Sequence, residues 1–212
     1  MNEIFENNTA LTSLRNFYMN YKKPILLIIG TIVLLVSANL INNQIKNIQN
    51  VQAAEIYNKW IAQETDTEEG KSLSDELFDD LINSYKKTGY ANIALLNQAA
   101  LKAQNGDFEL ALNYFIALKD NTKGIGGNEL LSKIASINVA RIMYAQEDYD
   151  KALEILEEYS SSNASIHELI GDILYKQGKI DLAKDQYNLA RDKYTDEASL
   201  SIISMKISNL TI

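Results

Sequence analysis

The sequence predicts an all-α protein: a single N-terminal transmembrane helix followed by a solenoid of helical hairpins. Three observations carry that expectation. Eighteen uncharged residues, 24–41 (PILLIIGTIVLLVSANLI), interrupt an otherwise polar chain. From Tyr90 onward, a turn followed by small and large apolar residues at steps of 3, 4 and 3 occurs three times. A single proline in 212 residues suits helices joined by short turns.

The apolar run comes first. At ~1.5 Å per helical residue it reaches about 27 Å, close to the ~30 Å hydrocarbon core of a bilayer. Pro24 is expected in the first turn, where a helix needs no amide partner. A buried core helix is one alternative, although core helices rarely go so long without a polar face. A cleaved signal peptide is another. Its charged leader is normally short, yet 23 residues precede Pro24, and the small-x-small exit Val51-Gln52-Ala53 lies well past the run. The expectation is an uncleaved anchor over 24–41. Arg15, Lys22 and Lys23 flank it on one side, Lys46 and Lys59 on the other. The basic pair abutting the membrane places the N-terminus in the cytoplasm and residues after about 42 across the membrane.

The remaining segments follow in order. Residues 1–23 form a cytoplasmic arm in which Leu11, Leu14, Phe17, Tyr18 and Tyr21 recur at helical steps, as in a helix lying in the membrane interface. Residues 42–71 are a helical stalk and loop. The stalk continues the anchor through Ile41, Ile45, Ile48, Ile56 and Trp60, and the polar stretch 65–71 is the loop. Ser72 or Ser74 then caps a helix carrying Leu77, Phe78, Leu81, Ile82 and Tyr85, which Thr88-Gly89 ends. The domain proper is 72–212.

Charge and composition narrow the function. The chain carries 20 basic and 28 acidic residues, and the part beyond the anchor is the more acidic. That argues against nucleic acid as a partner and against a surface that hugs anionic lipid. With no cysteine there is no disulfide, thiolate metal site or lipidated cysteine.

The repeats read as follows. Asn105-Gly106-Asp107-Phe108 precedes Ala111, Phe115 and Leu118. Gln146-Glu147-Asp148-Tyr149 precedes Ala152, Leu156 and Tyr159. Gln177-Gly178-Lys179-Ile180 precedes Ala183, Tyr187 and Ala190. Each alanine lets a second helix approach the first closely, while the larger residues fill the layer against the next hairpin. Ala99, Ala140 and Gly171 hold the small position of the three first helices. The pattern resembles tetratricopeptide-like repeats over residues 90–193, with the loop 120–127 absorbing an uneven spacing.

That resemblance implies a groove lined by the first helix of each hairpin. In the register set by Phe108, Tyr149 and Ile180 its exposed positions are Asn97 in the first hairpin, Asn138, Arg141 and Tyr144 in the second, and Glu168, Asp172 and Tyr175 in the third. Tyrosines beside amide and charged groups suit a bound peptide. Two alternatives stand beside this: Tyr144 and Tyr175 pack between hairpins, or the final helix, 197–208, folds into the groove and blocks it.

No catalytic constellation emerges. His167 is the sole histidine and begins a repeat helix, which suits a structural role. The acidic stretch 66–70 has its glycine one place early for a calcium loop and lacks the twelfth-position glutamate. No phosphate-binding glycine loop or nucleophile elbow occurs. The reading is a non-enzymatic protein with no cofactor and no metal.

The C-terminal stretch Met205-Lys206-Ile207-Ser208-Asn209-Leu210, the hairpin from Gly178 to Ala190, and Tyr21-Lys22 before the anchor together resemble the ancillary subunit of the SecYEG translocon. That family joins a short cytoplasmic arm and one membrane helix to a periplasmic tetratricopeptide-like domain. The chain departs from it in Asn7-Asn8-Thr9 of the arm, in having one anchor glycine (Gly30), and in Asn39, Asn42 and Asn43 at the anchor exit. The resemblance implies a bacterial inner-membrane protein associated with the SecYEG translocon and with a membrane-anchored periplasmic prolyl isomerase. It would help pass emerging polypeptides to periplasmic chaperones. A membrane-tethered repeat scaffold for another envelope complex is the alternative.

Overall fold

A computed structural model of the chain describes residues 3–124, 126–159 and 163–210, with side-chain surroundings from residue 12 onward. It divides into two compact units, one ending at Gln52 and the other beginning at Ala53.

The first unit is helical throughout its described length, as part of α1 (Glu3–Ile61). None of its membrane-length apolar window is buried, and Leu27 and Leu34 are 71% and 72% exposed. A side chain that finds no protein partner on any face suits lipid, which removes the core-helix alternative. Two expectations need correction. The arm is not a separate helix but the opening of α1, with Phe17 and Tyr21 one turn apart and their rings 4.8 Å from each other. Pro24 therefore stands inside the helix rather than in its first turn. Its missing amide leaves one rung of the ladder empty, a defect that membrane helices tolerate better than soluble ones. Leu11 and the 7–9 segment lie outside the described side chains.

The second unit takes in the last turns of α1 and eight further helices among the described residues: α2 (Glu68–Ser84), α3 (Gly89–Gln104), α4 (Phe108–Thr122), α5 (Glu129–Ala145), α6 (Tyr149–Glu157), α7 (Ala164–Lys176), α8 (Ile180–Lys193) and α9 (Glu197–Asn209). The pairs α3–α4, α5–α6 and α7–α8 are the three expected hairpins. Residues assigned to the stalk already belong to this core. Ala53 is fully buried, with Ile56, Tyr57 and Trp60 packed in the same cluster as Phe78 and Leu81. An aromatic chain links them: Tyr57 to Tyr90 at 5.6 Å, Trp60 to Phe78 at 5.6 Å and Phe78 to Tyr114 at 5.3 Å.

The caps of α2 and α3 differ from expectation. Thr67, not Ser72 or Ser74, caps α2 by accepting from the Gly70 amide at 3.0 Å. The acidic residues of the supposed loop form its first turn, where Glu68 and Glu69 face the positive end of the helix dipole. A side chain at Gly70 would strike the Glu64 carbonyl, so the close approach itself demands glycine. Thr88 opens α3, accepting from the Ala91 amide, rather than ending α2, which stops at Ser84.

The hairpin turns repeat one hydrogen-bond pattern. Asp107, Asp148 and Lys179 each donate their amide to a carbonyl five residues back (Lys102, Met143 and Leu174), all at 2.9 Å. The residue before each has positive φ: Gly106 at 80°, Glu147 at 63° and Gly178 at 74°. This is a Schellman closure, which asks for glycine at the left-handed position, and the second repeat supplies glutamate instead. The small residues behave as the spacing requires. Ala99, Ala111, Ala140, Ala152 and Ala183 are fully buried. A Cβ on Gly171 would come 2.5 Å from the Tyr187 ring, so glycine there is what lets α7 and α8 touch.

Candidate functional site

The first helices of the three hairpins, α3, α5 and α7, present the expected groove positions, and the structure treats them unequally. Asn97 is exposed on α3 and lines no described cavity. On α5, Asn138 donates to the Ile134 carbonyl at 2.9 Å and its side-chain oxygen accepts from Arg141 at 3.5 Å. Arg141 is otherwise exposed. Both line an open cavity of about 270 Å³ whose floor is Phe108, Phe115 and Ile142. This is an apolar notch between the first and second hairpins with an amide and a guanidinium at its rim. Such a notch fits an apolar side chain of a peptide whose backbone meets polar groups above it.

Tyr144 is half-buried and tilts against Tyr149 of its own hairpin, 5.9 Å between ring centres. Tyr175 stays exposed. The two share a second open cavity, about 340 Å³, with Asp172, Tyr187, Lys206 and Leu210. Tyr144 is thus partly packed within its hairpin, while Tyr175 is open to solvent.

Glu168 and Asp172, one turn apart on α7, are taken up from within. Lys206 of α9 bonds Glu168 Oε1 at 2.8 Å and Asp172 Oδ1 and Oδ2 at 2.6 and 2.7 Å. The Tyr194 hydroxyl donates to Glu168 Oε2 at 2.6 Å, and the Tyr187 hydroxyl donates to Asp172 Oδ1 at 2.8 Å. Both carboxylates and the ammonium are about three-quarters removed from solvent, with side-chain exposures of 22, 25 and 26%. Burial alone would push the Glu168 carboxyl up, but hydrogen bonds from Lys206 and Tyr194 outweigh it and hold it below its ordinary value. Burial would likewise lower the Lys206 ammonium, and its two carboxylate partners raise it instead. Burial, then hydrogen bonding to a carboxylate, drives both the Tyr187 and Tyr194 hydroxyls far upward. The network thus pairs two carboxylates with a single ammonium and two hydroxyl donors.

The final helix thus lies, through Lys206, against two of the expected groove positions, Glu168 and Asp172. Sequence reasoning missed Lys206, Tyr187 and Tyr194 as members of this cluster. No local signal marked them, since a single lysine on α9 names no partner.

His167 is buried, its Nδ1 2.8 Å from Gln186 Oε1 across the third hairpin, which is a structural contact. Among the described residues no group of three His, Asp or Glu side chains is placed to hold a metal ion.

Residues 15–212 match the tetratricopeptide repeat-like domain family. The chain belongs to that family. Among curated proteins, this tetratricopeptide repeat-like chain is similar to the "Ancillary SecYEG translocon subunit" of Aggregatibacter actinomycetemcomitans, at 29% identity over 137 residues. That match covers 64% of this chain and 65% of the relative, so the chain spans just under two thirds of that protein's length. It is also similar to the protein of the same description from Haemophilus influenzae, at 27% identity over 165 residues and 76% of each chain. The fold and the relatives together make this a membrane-associated repeat protein related to ancillary SecYEG translocon subunits.

Proposed function

We propose that the chain is a non-enzymatic adaptor of the bacterial inner membrane that associates with the SecYEG translocon. Its N-terminus lies in the cytoplasm and its repeat domain in the periplasm. The domain takes hold of emerging polypeptide segments and helps hand them to periplasmic chaperones, a membrane-anchored prolyl isomerase among its partners. The observation that carries this reading is the joining, on one chain, of a membrane-length helix and a hairpin repeat domain in a relative of two ancillary translocon subunits. The groove contributes the open notch at Asn138 and Arg141 and the neighbouring tyrosines Tyr144 and Tyr175, with Asn97 on the same row of first helices. Glu168 and Asp172 form its closed end.

Crosslinking in native membranes, followed by identification of the adducts, tests this. The expected adducts are translocon subunits and periplasmic folding factors. Adducts confined to cell-wall synthesis proteins would instead make the chain a scaffold for another envelope complex. Orientation is tested separately. Protease added to spheroplasts should remove the repeat domain and leave the arm protected, and a domain resistant until the inner membrane is breached would reverse the topology.

A further inference from the structure

We infer that α9 is a latch: it closes the third-hairpin end of the groove through Lys206, and a polypeptide extending from the open notch onto the third hairpin displaces it. This rests on the groove reading above and adds how the groove is controlled.

Three features of α9 support it. It packs chiefly on α8, yet its charged contacts cross to Glu168 and Asp172 on α7. Its hold is narrow, with Ile203 as its one fully buried side chain and Ile207 and Leu210 half-buried beside it. Its outer face carries Ile202 and Met205 at 48 and 58% exposure.

Tyr187 and Tyr194 orient the two carboxylates from α8 and its C-terminal cap, independently of α9. The open cavity between Tyr144, Tyr175 and Leu210 is lined by Lys206 and by Asp172 alike, so a chain entering it meets the latch and its seat together. A ligand that binds only the open form sees its affinity reduced by the fraction of molecules that stand open, and weakening the latch removes that penalty.

The test uses the full chain in detergent and, as probe, fluorescein-labelled ribonuclease A kept unfolded by reduction and carbamidomethylation. Lys206→Met should tighten binding roughly tenfold, within the usual range of coupling between two sites, while Lys206→Arg should bind as the parent does. Hydrogen exchange on the unaltered chain gives a second readout that does not depend on any variant folding: saturating probe should speed exchange of the α9 amides, 197–209. A Lys206→Met protein that is folded and binds no more tightly overturns the latch, as does α9 exchange that the probe slows or leaves unchanged. If Lys206→Met loses helix content, the exchange result decides alone. Binding that ignores Arg141→Ala with Tyr144→Ala, yet still speeds α9 exchange, overturns the groove and not the latch.

Discussion

The second and third hairpins place their first helices in the same register and use them in opposite ways. On α5 the outward polar residues Asn138 and Arg141 bond only to their own helix and rim an apolar notch. On α7 Asp172, the counterpart of Arg141, and Glu168, the counterpart of the buried Ile137, are bonded by Tyr187, Tyr194 and Lys206 from later in the chain. Position in a repeat therefore says which way a side chain faces, and not whether it is free. Availability is set by what the chain does after the repeats end, here by α9.

The comparison is sharpest at the small residue of each first helix. Gly171 lies under a Tyr187 ring that is 2% exposed and tied at its hydroxyl, so the ring has nowhere to go. Gly171→Val should overpack by about 1–3 kcal/mol or more. Ala140→Gly, at the matching place in the second hairpin, should lose only about 0.5–1 kcal/mol through backbone entropy. Urea melts that rank the two equally would break the register. The same melts check the second helices. Ala183→Leu should cost roughly 1–3 kcal/mol, because Ala183 is fully buried against α7. Lys179→Ala should stay within about 0.5 kcal/mol, because Lys179 caps α8 with no side-chain bond.

Glu147 offers a smaller effect of opposite sign. It occupies the left-handed turn position that glycine holds in the first and third repeats. Glu147→Gly should stabilise by about 0.5–1 kcal/mol, as relief of the left-handed strain exceeds the added freedom of the unfolded chain. A loss of stability in thermal melts would show that the glutamate side chain makes a contact the turn needs.

The third hairpin should also respond to pH more than the second, whose shifted Asp148–Lys151 pair is exposed to solvent. Glu168 has a folded pKa below its ordinary 4.5, so its contribution is present above 4.5 and disappears as pH falls through the depressed value. Lys206 has a folded pKa above its ordinary 10.5, so its contribution is complete below 10.5 and disappears as pH rises past the raised value. Tyr187 and Tyr194, raised above 10.0, lose theirs over the same alkaline range. Asp172, Tyr144 and Arg141 complete the groups that face the cluster. Protection of α9 amides against hydrogen exchange should stay flat across neutral pH and fall at both extremes, while α5 keeps its protection. The effect is modest, since these side chains are about a quarter exposed.

Much of this was legible in the chain, and the failures have definite causes. The 3, 4, 3 spacing found all three hairpins because a helix pair cannot close without a small residue where the backbones meet. The apolar run was visible because nothing buried competes with lipid over eighteen residues. Thr67 and Thr88 were missed because a threonine before a polar turn reads equally well as a stop or a start, and only the hydrogen bonds choose. Pro24 was misplaced because the arm's own helix was not joined to the anchor. The Lys206 cluster was invisible because it depends on three segments converging, and one lysine on a terminal helix carries no local signature.

The central claim is that the groove, open at its second hairpin, receives translocated chains beside the translocon. A photo-crosslinking residue placed at Arg141 in native membranes, with exposed Asp185 on α8 as control, tests it directly. The account predicts adducts from position 141 to translocon subunits, nascent exported chains or periplasmic chaperones, and few from position 185. Equal adducts from both positions, or none from 141 in a fully folded protein, would contradict it.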